Sequence, residues 1–107
     1  MKVYDLKDMI AGWFVGDFFP STYRTKDFEV GYKLHKKNEQ WPVHFHKRAT
    51  EINLLVKGKM TICGETIEPG QIFVIDQNEI AAPIFLEDCE LVVVKTISDV
   101  NDKYIVE

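Results

Sequence analysis

The sequence is poor in cysteine, and the two cysteines that it has lie far apart. Cys63 and Cys89 form no CxxC pair, so the chain has neither the ligand spacing of a zinc ribbon nor a dithiol redox motif. In an intracellular protein such residues are expected to be reduced, semi-buried thiols. Disulfide and thiol chemistry is therefore not an expected function.

Runs of like charge and long apolar segments are also missing. Acidic and basic residues are mixed along the chain, with a formal net charge of -4, which argues against a nucleic-acid partner. Near the N-terminus, Asp5, Asp8 and Asp17 interrupt every apolar run, so neither a signal peptide nor a membrane span is expected there. We expect a soluble cytoplasmic protein.

Repeats, low-complexity tracts and Pro/Ser-rich linkers are absent from the 107 residues, which favours a single domain over residues 1–107. Within it we expect an N-terminal segment over residues 1–27 that packs on a barrel, a barrel core over residues 28–96 and a C-terminal tail over residues 97–107. Only residues 5–11 favour a helical turn, with Asp5 as a cap and Gly12 as a stop.

Short segments rich in Val, Ile, Phe and Thr recur along the expected core, and most are bounded by Gly, Asn, Pro or charged residues. Their length and spacing predict the strands of an antiparallel sandwich or barrel, which is an all-β fold. The predicted strands are residues 28–34, 43–47, 51–56, 60–63, 71–75, 84–86 and 91–96.

Polar side chains cluster on one face of two successive predicted strands. Because side chains alternate along a strand, His44 and His46 share one face of the first strand, and Glu51 and Asn53 share one face of the second. If this face meets solvent, the sheet is an ordinary half-exposed one. If it faces the interior of a barrel, the two strands line a polar pocket.

The other face of the same strands is apolar and consists of Phe45, Ile52, Leu54 and Val56. With the polar set inside, this apolar face lies on the outside of the barrel and requires a cover. One expected cover is the set of aromatic residues near the N-terminus, Trp13, Phe14, Phe18 and Phe19. The other is a second subunit, and we predict a homodimer through this face.

The spacing of the polar residues separates the two arrangements. His44, His46, Glu51 and Gly58 follow the order His, any residue, His, four residues, Glu, six residues, Gly, and in this the stretch resembles the first motif of the cupin superfamily. Asn38 stands six positions before the first histidine, where the family has glycine, and asparagine tolerates a left-handed turn. The resemblance implies a compact double-stranded β-helix, or jelly-roll barrel, with the polar face inside.

The second cupin motif is matched only in part. Laid from Gly70, it places Asn78 at a glycine position and Ala81 where the family has a histidine that is its fourth metal ligand. The resemblance spans residues 28–96 and implies that the first motif supplies the metal ligands without help from the second.

A divalent metal is the cofactor that this side-chain set suits. Two neutral imidazoles and one carboxylate on one side of an ion suit Fe, and Mn, Ni or Zn occupy similar sites. Facing side chains on neighbouring antiparallel strands are about 4.5–5.5 Å apart at Cβ, within reach of a shared ion. His44, His46 and Glu51 are therefore the candidate metal ligands.

Glu79 is a further candidate because it precedes Ala81 by two residues and would share its side of an extended strand. We assign it as a candidate acid/base group or extra ligand, and the alternative is a solvated turn glutamate.

Three kinds of function stay open. The first is a metal-dependent enzyme that acts on a small molecule in the barrel pocket. The second is a non-catalytic module that binds a sugar or a carboxylate at a degenerate metal site. The third is an interaction protein that works through its apolar outer face. The residues do not decide between an enzyme and a binding module, because fold and metal ligands are shared across many chemistries.

Overall fold

Short antiparallel strands make up almost all of the regular structure. The computed structural model describes residues 1–106, and in this range it has ten strands and one 3-10 turn, Leu6–Asp8, where a helical turn is expected. The all-β prediction is confirmed. No helix in the described range is long and apolar enough to cross a bilayer. The strands are β1 Trp13–Val15, β2 Glu29–His35, β3 His44–Phe45, β4 Glu51–Lys57, β5 Met60–Ile62, β6 Glu65–Ile67, β7 Ile72–Ile75, β8 Ile84–Phe85, β9 Cys89–Lys95 and β10 Tyr104–Ile105.

The strands form three sheets, and every pairing between them is antiparallel. One sheet has five strands in the order β1-β2-β9-β4-β7, a second has the order β6-β5-β8, and β10 pairs with β3. Leu55 and Leu91 of the five-stranded sheet and Met60 and Phe85 of the three-stranded sheet belong to one buried apolar cluster. The core therefore lies between these two sheets.

Each of the seven predicted strands corresponds to an observed one. The sequence prediction does not include β1, β6 or β10, which have two or three residues each. β1 belongs to the N-terminal segment and pairs with β2 at one edge of the five-stranded sheet.

The inner face of the five-stranded sheet carries the polar residues. Along β4, Asn53 and Leu55 are buried, whereas Ile52 and Val56 are exposed. Glu51 shares the inward side with Asn53 because side chains alternate along the strand. The polar face therefore lies inside the barrel, as the motif resemblance implies.

The outer face of the same sheet stays apolar and exposed. Ile72 and Val74 on β7 are 66% and 49% exposed, and β7 lies at the edge opposite β1. Trp13 is one of the aromatic residues expected to cover this face, but it packs against the buried core instead. Phe19, from the same segment, is 86% exposed.

Two asparagines occupy the turns in which the motifs have glycine. Asn38 and Asn78 have φ values of 63° and 64°, so both adopt the left-handed conformation that asparagine tolerates. Gly58 has a φ of 99°, and a Cβ built on it would lie 2.3 Å from the carbonyl oxygen of Asp88. This position therefore excludes any larger residue for two independent reasons.

Candidate metal centre

Backbone hydrogen bonds hold the two candidate histidines from both sides. His44 begins β3, where it pairs with Ile105 of β10 and bridges to Ala81 on its other side. The His44 N–H donates to the Ala81 carbonyl at 3.2 Å, and the Ala81 N–H donates to the His44 carbonyl at 2.8 Å. His46 follows the strand, and its carbonyl accepts the Asn78 N–H at 2.6 Å. Both imidazoles are thus carried on a fixed backbone.

Glu51 brings a carboxylate to these imidazoles from the first position of β4, where it pairs with Lys95 and Ile75. One Glu51 carboxylate oxygen lies 3.5 Å from the Nε2 atom of His46. The rings of His44 and His46 are close to perpendicular, at 84°, with centroids 5.3 Å apart. One ligand atom from each of the three residues lies within 4.8 Å of the others, so the three predicted metal ligands are brought together.

The other ring nitrogen of each histidine is held by a carbonyl group. His44 Nδ1 is 3.0 Å from the Pro42 carbonyl oxygen, and His46 Nδ1 bonds the Asp102 carbonyl oxygen. A carbonyl oxygen can only accept a hydrogen bond, so Nδ1 is a protonated donor in both rings and Nε2 is the nitrogen left to meet an ion. Histidines that bind metals are oriented in this way. The residues present therefore fit a divalent ion.

Asp102 fixes the chain that follows His46. Its buried carboxylate accepts the N–H groups of Lys47, Arg48 and Ala49 at 2.9–3.2 Å. Burial raises the pKa of the Asp102 carboxyl, but these hydrogen bonds outweigh the burial and hold the pKa below its ordinary value. One residue thus anchors the loop through its side chain and orients the His46 ring through its carbonyl.

The ionisation states of the candidate ligands also suit a metal. Burial raises the pKa of Glu51, but the hydrogen bond to His46 and the charge of Lys95 outweigh it and leave the pKa lowered. Burial is the largest cause that lowers the pKa of His44, and the charge of Lys103 lowers it further. An anionic carboxylate and a neutral imidazole are the forms in which these residues bind a metal.

The candidate ligands line a cavity of about 220 Å³ inside the barrel. Asn53 lies two residues beyond Glu51 and is 3% exposed. Its side-chain nitrogen, Nδ2, is buried and has no hydrogen-bond partner among residues 1–106. An unpaired buried amide is costly, and here it borders the cavity.

Known proteins resemble this chain in fold and not in sequence. No family model matches the sequence, and no curated protein matches it either. Among solved structures, the chain is similar to an uncharacterized conserved protein with a double-stranded β-helix domain from Klebsiella pneumoniae. The TM-score is 0.69 at 13% identity, over 78% of this chain and 73% of that one. It is also similar to a cupin-2 domain protein from Shewanella frigidimarina, with a TM-score of 0.55 at 16% identity over 65% and 71% of the chains.

The chain has the cupin fold. A DMSP lyase from Ruegeria pomeroyi shares it, with a TM-score of 0.64 at 14% identity over 80% of this chain. This chain spans 46% of the length of that lyase. Identities this low show the fold alone, so the activity of the lyase does not carry over.

The position at which the second cupin motif has a histidine is well defined in this structure. Ala81 is 2% exposed, lines the cavity and is bridged to His44. A histidine side chain at this position would start beside the other ligands. The absence of a fourth ligand therefore follows from the residue type at position 81 and not from a displaced strand.

Glu79 lies elsewhere in the structure. Its side chain is exposed, and its carboxylate is 3.7 Å from the thiol of Cys63. It is not among the residues that line the cavity. The structure therefore does not bring Glu79 to the candidate ligands.

Lysines and tryptophans also line the cavity, and no motif in the sequence marks them as cavity residues. Lys33, Lys95 and Lys103 lie there together with Trp13 and Trp41. One signal for Lys33 is present in the sequence, since it shares the inward side of β2 with the buried residues Gly31 and His35. Lys103 and Trp41 belong to irregular segments, in which alternation predicts nothing.

His35 is the third histidine of the chain and also faces inward. Its ring stacks on Phe85 with centroids 4.3 Å apart, and its Nδ1 is 2.6 Å from a carboxylate oxygen of Glu39. Tyr32 has the opposite parity and bonds Glu90 through its hydroxyl group. Only one of these two residues points inward, as alternation requires.

Proposed function

We propose that this cupin binds a divalent metal through His44, His46 and Glu51 and holds a small molecule beside it in the barrel cavity. The observation that carries the proposal is the orientation of the two imidazoles, since carbonyl groups bind both Nδ1 atoms. The cavity of about 220 Å³ is smaller than the roughly 300–1,000 Å³ typical of pockets for drug-sized ligands. The expected ligand therefore has few heavy atoms.

The protein would contribute three things at such a centre. A bound divalent ion would supply a Lewis acid toward an oxygen atom of the ligand. Glu51 supplies the negative charge that balances the ion, and the carbonyl contacts keep both imidazoles in the tautomer that binds metal. Asn53 offers an N–H donor at the wall of the cavity.

Metal content tests this proposal. We expect protein purified without a polyhistidine tag to take up one equivalent of Fe, Mn, Ni or Zn, as measured by elemental analysis after removal of excess ion. The double variant His44→Ala/His46→Ala should lose this metal. His35→Ala removes the third histidine, which lines the same cavity outside the candidate ligand set, and should keep it. Metal content well below one equivalent that is the same in all three proteins would refute the proposal.

A non-catalytic binding module is the second candidate function. Ala81 supports it, since one ligand of the cupin set is missing, and so does the position of Glu79 outside the cavity. In this case a ligand raises the unfolding temperature of the protein by mass action. Mass spectrometry or NMR of the mixture then shows that the ligand has not been converted. A product that forms with wild-type protein and not with His44→Ala/His46→Ala would favour the enzyme.

We also propose that the protein forms a homodimer through the outer face of the five-stranded sheet. The support is the set of exposed apolar residues that share this face, which comprises Leu34, Ile52, Val56, Ile72 and Val74. Apolar patches of this kind mark interaction sites in soluble proteins.

A further inference from the structure

The cavity is rich in positive charge, although the chain as a whole is negative. Three lysines line it, Lys33, Lys95 and Lys103, and among residues 1–106 Glu51 is the one acidic residue in the lining. The whole chain has a formal net charge of -4. A divalent ion at the candidate centre would make the excess of positive charge larger. The local charge therefore does not reflect the overall composition.

Two of the three lysines lack a carboxylate partner. Lys95 is 3.6 Å from a carboxylate oxygen of Glu29, and Glu29 also accepts the hydroxyl of Ser98 at 3.0 Å. Within residues 1–106, neither Lys33 nor Lys103 has a carboxylate oxygen within 4.0 Å. Lys33 Nζ donates to the carbonyl oxygen of Ala11 instead, and the charge of Glu51 attracts both lysines over a longer distance. The charges of these two lysines are therefore balanced only in part.

Aromatic rings hold the lysine ammonium groups at the cavity. The Nζ atoms of Lys33 and Lys95 lie 5.0 and 4.9 Å from the ring centroid of Trp13, so the two charges are no more than about 10 Å apart. The Nζ of Lys103 lies 4.7 Å from the ring of Trp41. Cation–π contacts of this kind fix the position of a charge without neutralising it.

Keeping these charges together is unfavourable in the absence of a ligand. Burial lowers the pKa of Lys33, and the charges of Lys95 and Lys103 lower it further. Burial also lowers the pKa of Lys103, again with a contribution from Lys95. A negative group inside the cavity would relieve this repulsion, and a half-enclosed cavity strengthens the attraction.

Hydrogen-bonding capacity separates a carboxylate from a sugar. A lysine ammonium group has donors and no acceptor, and the unpaired Nδ2 of Asn53 is likewise a donor. The carboxylate of Glu51 already interacts with His46. Sugar hydroxyls need acceptors as well as donors, whereas an ionised carboxylate only accepts. The lining therefore matches a ligand that offers acceptors and negative charge.

We propose that the ligand of this cavity is a small organic carboxylate, recognised through Lys33, Lys103 and the Asn53 amide. This inference rests on the proposed function for its location in the metal-binding cavity, and it specifies the chemical class that the cavity takes. The small volume restricts the class to acids with a short carbon chain.

Matched pairs of acids and amides test the proposal by titration calorimetry. The probes are acetate, oxalate, malonate and succinate, each compared with its amide, on the full chain with and without added Mn²⁺. We expect at least one acid to bind about tenfold or more tightly than its amide. The variant Lys33→Met/Lys103→Met should abolish this preference. Lys47→Met should keep it, because Lys47 makes a comparable contact with the ring of Tyr104 outside the cavity lining.

Asn53→Leu gives a second measurement that does not depend on the lysines. The leucine removes a buried donor without a partner, so the unfolding temperature should rise while binding of the acid weakens severalfold. An unfolding temperature that falls, together with unchanged acid binding, would show that the amide is structural and would remove it from the proposed site.

The outcomes separate this proposal from the metal proposal. If no acid binds at millimolar concentration, or if acids and amides bind equally to wild-type protein, the carboxylate proposal is wrong even where the metal is present. An acid preference that persists in folded Lys33→Met/Lys103→Met overturns the role of the two lysines. The third outcome is that neither the wild type nor any variant binds metal, while the wild type still prefers acids and Lys33→Met/Lys103→Met does not. This outcome overturns the metal proposal and leaves the carboxylate proposal standing.

Discussion

Asp102 shows how a single residue outside the candidate ligand set organises the site. Its carboxylate accepts N–H groups from three consecutive residues that follow His46, and its carbonyl binds the His46 ring. Hydrogen bonds to a charged acceptor are about twice as strong as those between neutral groups. The residue therefore connects local stability with the orientation of a metal ligand.

Replacement of Asp102 by alanine should destabilise the fold by about 2–4 kcal/mol, because three backbone N–H groups, one of them buried, lose a charged acceptor at once. Denaturation in urea measures the change. Asp99→Ala is the matched control, since it removes a partly exposed ion pair with Arg48 and should cost about 1 kcal/mol or less. Equal losses for the two variants would contradict the role assigned to Asp102.

At the scale of single residues, the sequence is informative where a motif fixes the spacing. His44 and His46 share one face of a strand by alternation, and their spacing to Glu51 resembles the first cupin motif, so all three can be recognised. Asp102 and Lys103 cannot, since their contacts join segments that are more than 50 positions apart and arise only when the chain folds. Asn53 is an intermediate case. Alternation predicts that its side chain points inward, but the sequence does not show that its amide lacks a hydrogen-bond partner.

At the scale of elements, the candidate site depends on a very short strand. β3 contains two residues and is held by β10 on one side and by Ala81 on the other. The bridge between His44 and Ala81 places the second-motif position next to a candidate ligand of the first motif. The sequence predicts the strand that carries the ligands, but not β10, its partner, because two exposed residues show no pattern.

Ala81→His should restore the fourth ligand. Position 81 lines the cavity beside His44, so the new imidazole would start next to the ligands already present. We expect the metal affinity, measured by competition with a chromophoric chelator, to rise. The rise should be at least the roughly 10–100-fold that a residue hydrogen-bonded to a metal ligand contributes.

Ala82→His is the control for this change. Ala82 is the adjacent residue and is exposed, and it does not line the cavity, so a histidine there should leave the affinity unchanged. If a folded Ala81→His protein bound metal no more tightly than wild type, the assignment of position 81 would be wrong.

At the scale of the whole molecule, one sheet has two faces with different roles. The inner face of the five-stranded sheet carries Glu51, which meets the two histidines of the β3 segment across the cavity, and the outer face presents exposed apolar residues on β2, β4 and β7. Strand alternation predicts this division from the sequence. The path of the N-terminal segment is not predictable in the same way, because Trp13 could pack on either face and only its contact with Gly31 and the core fixes it inside.

Charge on the outer face should separate the proposed dimer. We expect Ile72→Lys/Val74→Lys to convert a dimer into a monomer in light scattering at micromolar concentration, because burying two lysines in an apolar interface is costly. Ile84→Lys places one lysine at a residue that is 56% exposed on the three-stranded sheet, and it should leave the dimer intact. A wild-type protein that is already monomeric would rule out the interface.

The bond between His46 and Asp102 also has a consequence for the order of events during synthesis. The chain leaves the ribosome from its N-terminus, so His44, His46 and Glu51 are made before residue 102. Until then, the Asp102 carbonyl cannot bind the His46 Nδ1 atom, and β3 has no β10 beside it. Metal added to a nascent chain stalled before residue 102 would therefore meet candidate ligands without this orientation, and a centre of the proposed kind forms only after residues 102–105 have left the ribosome.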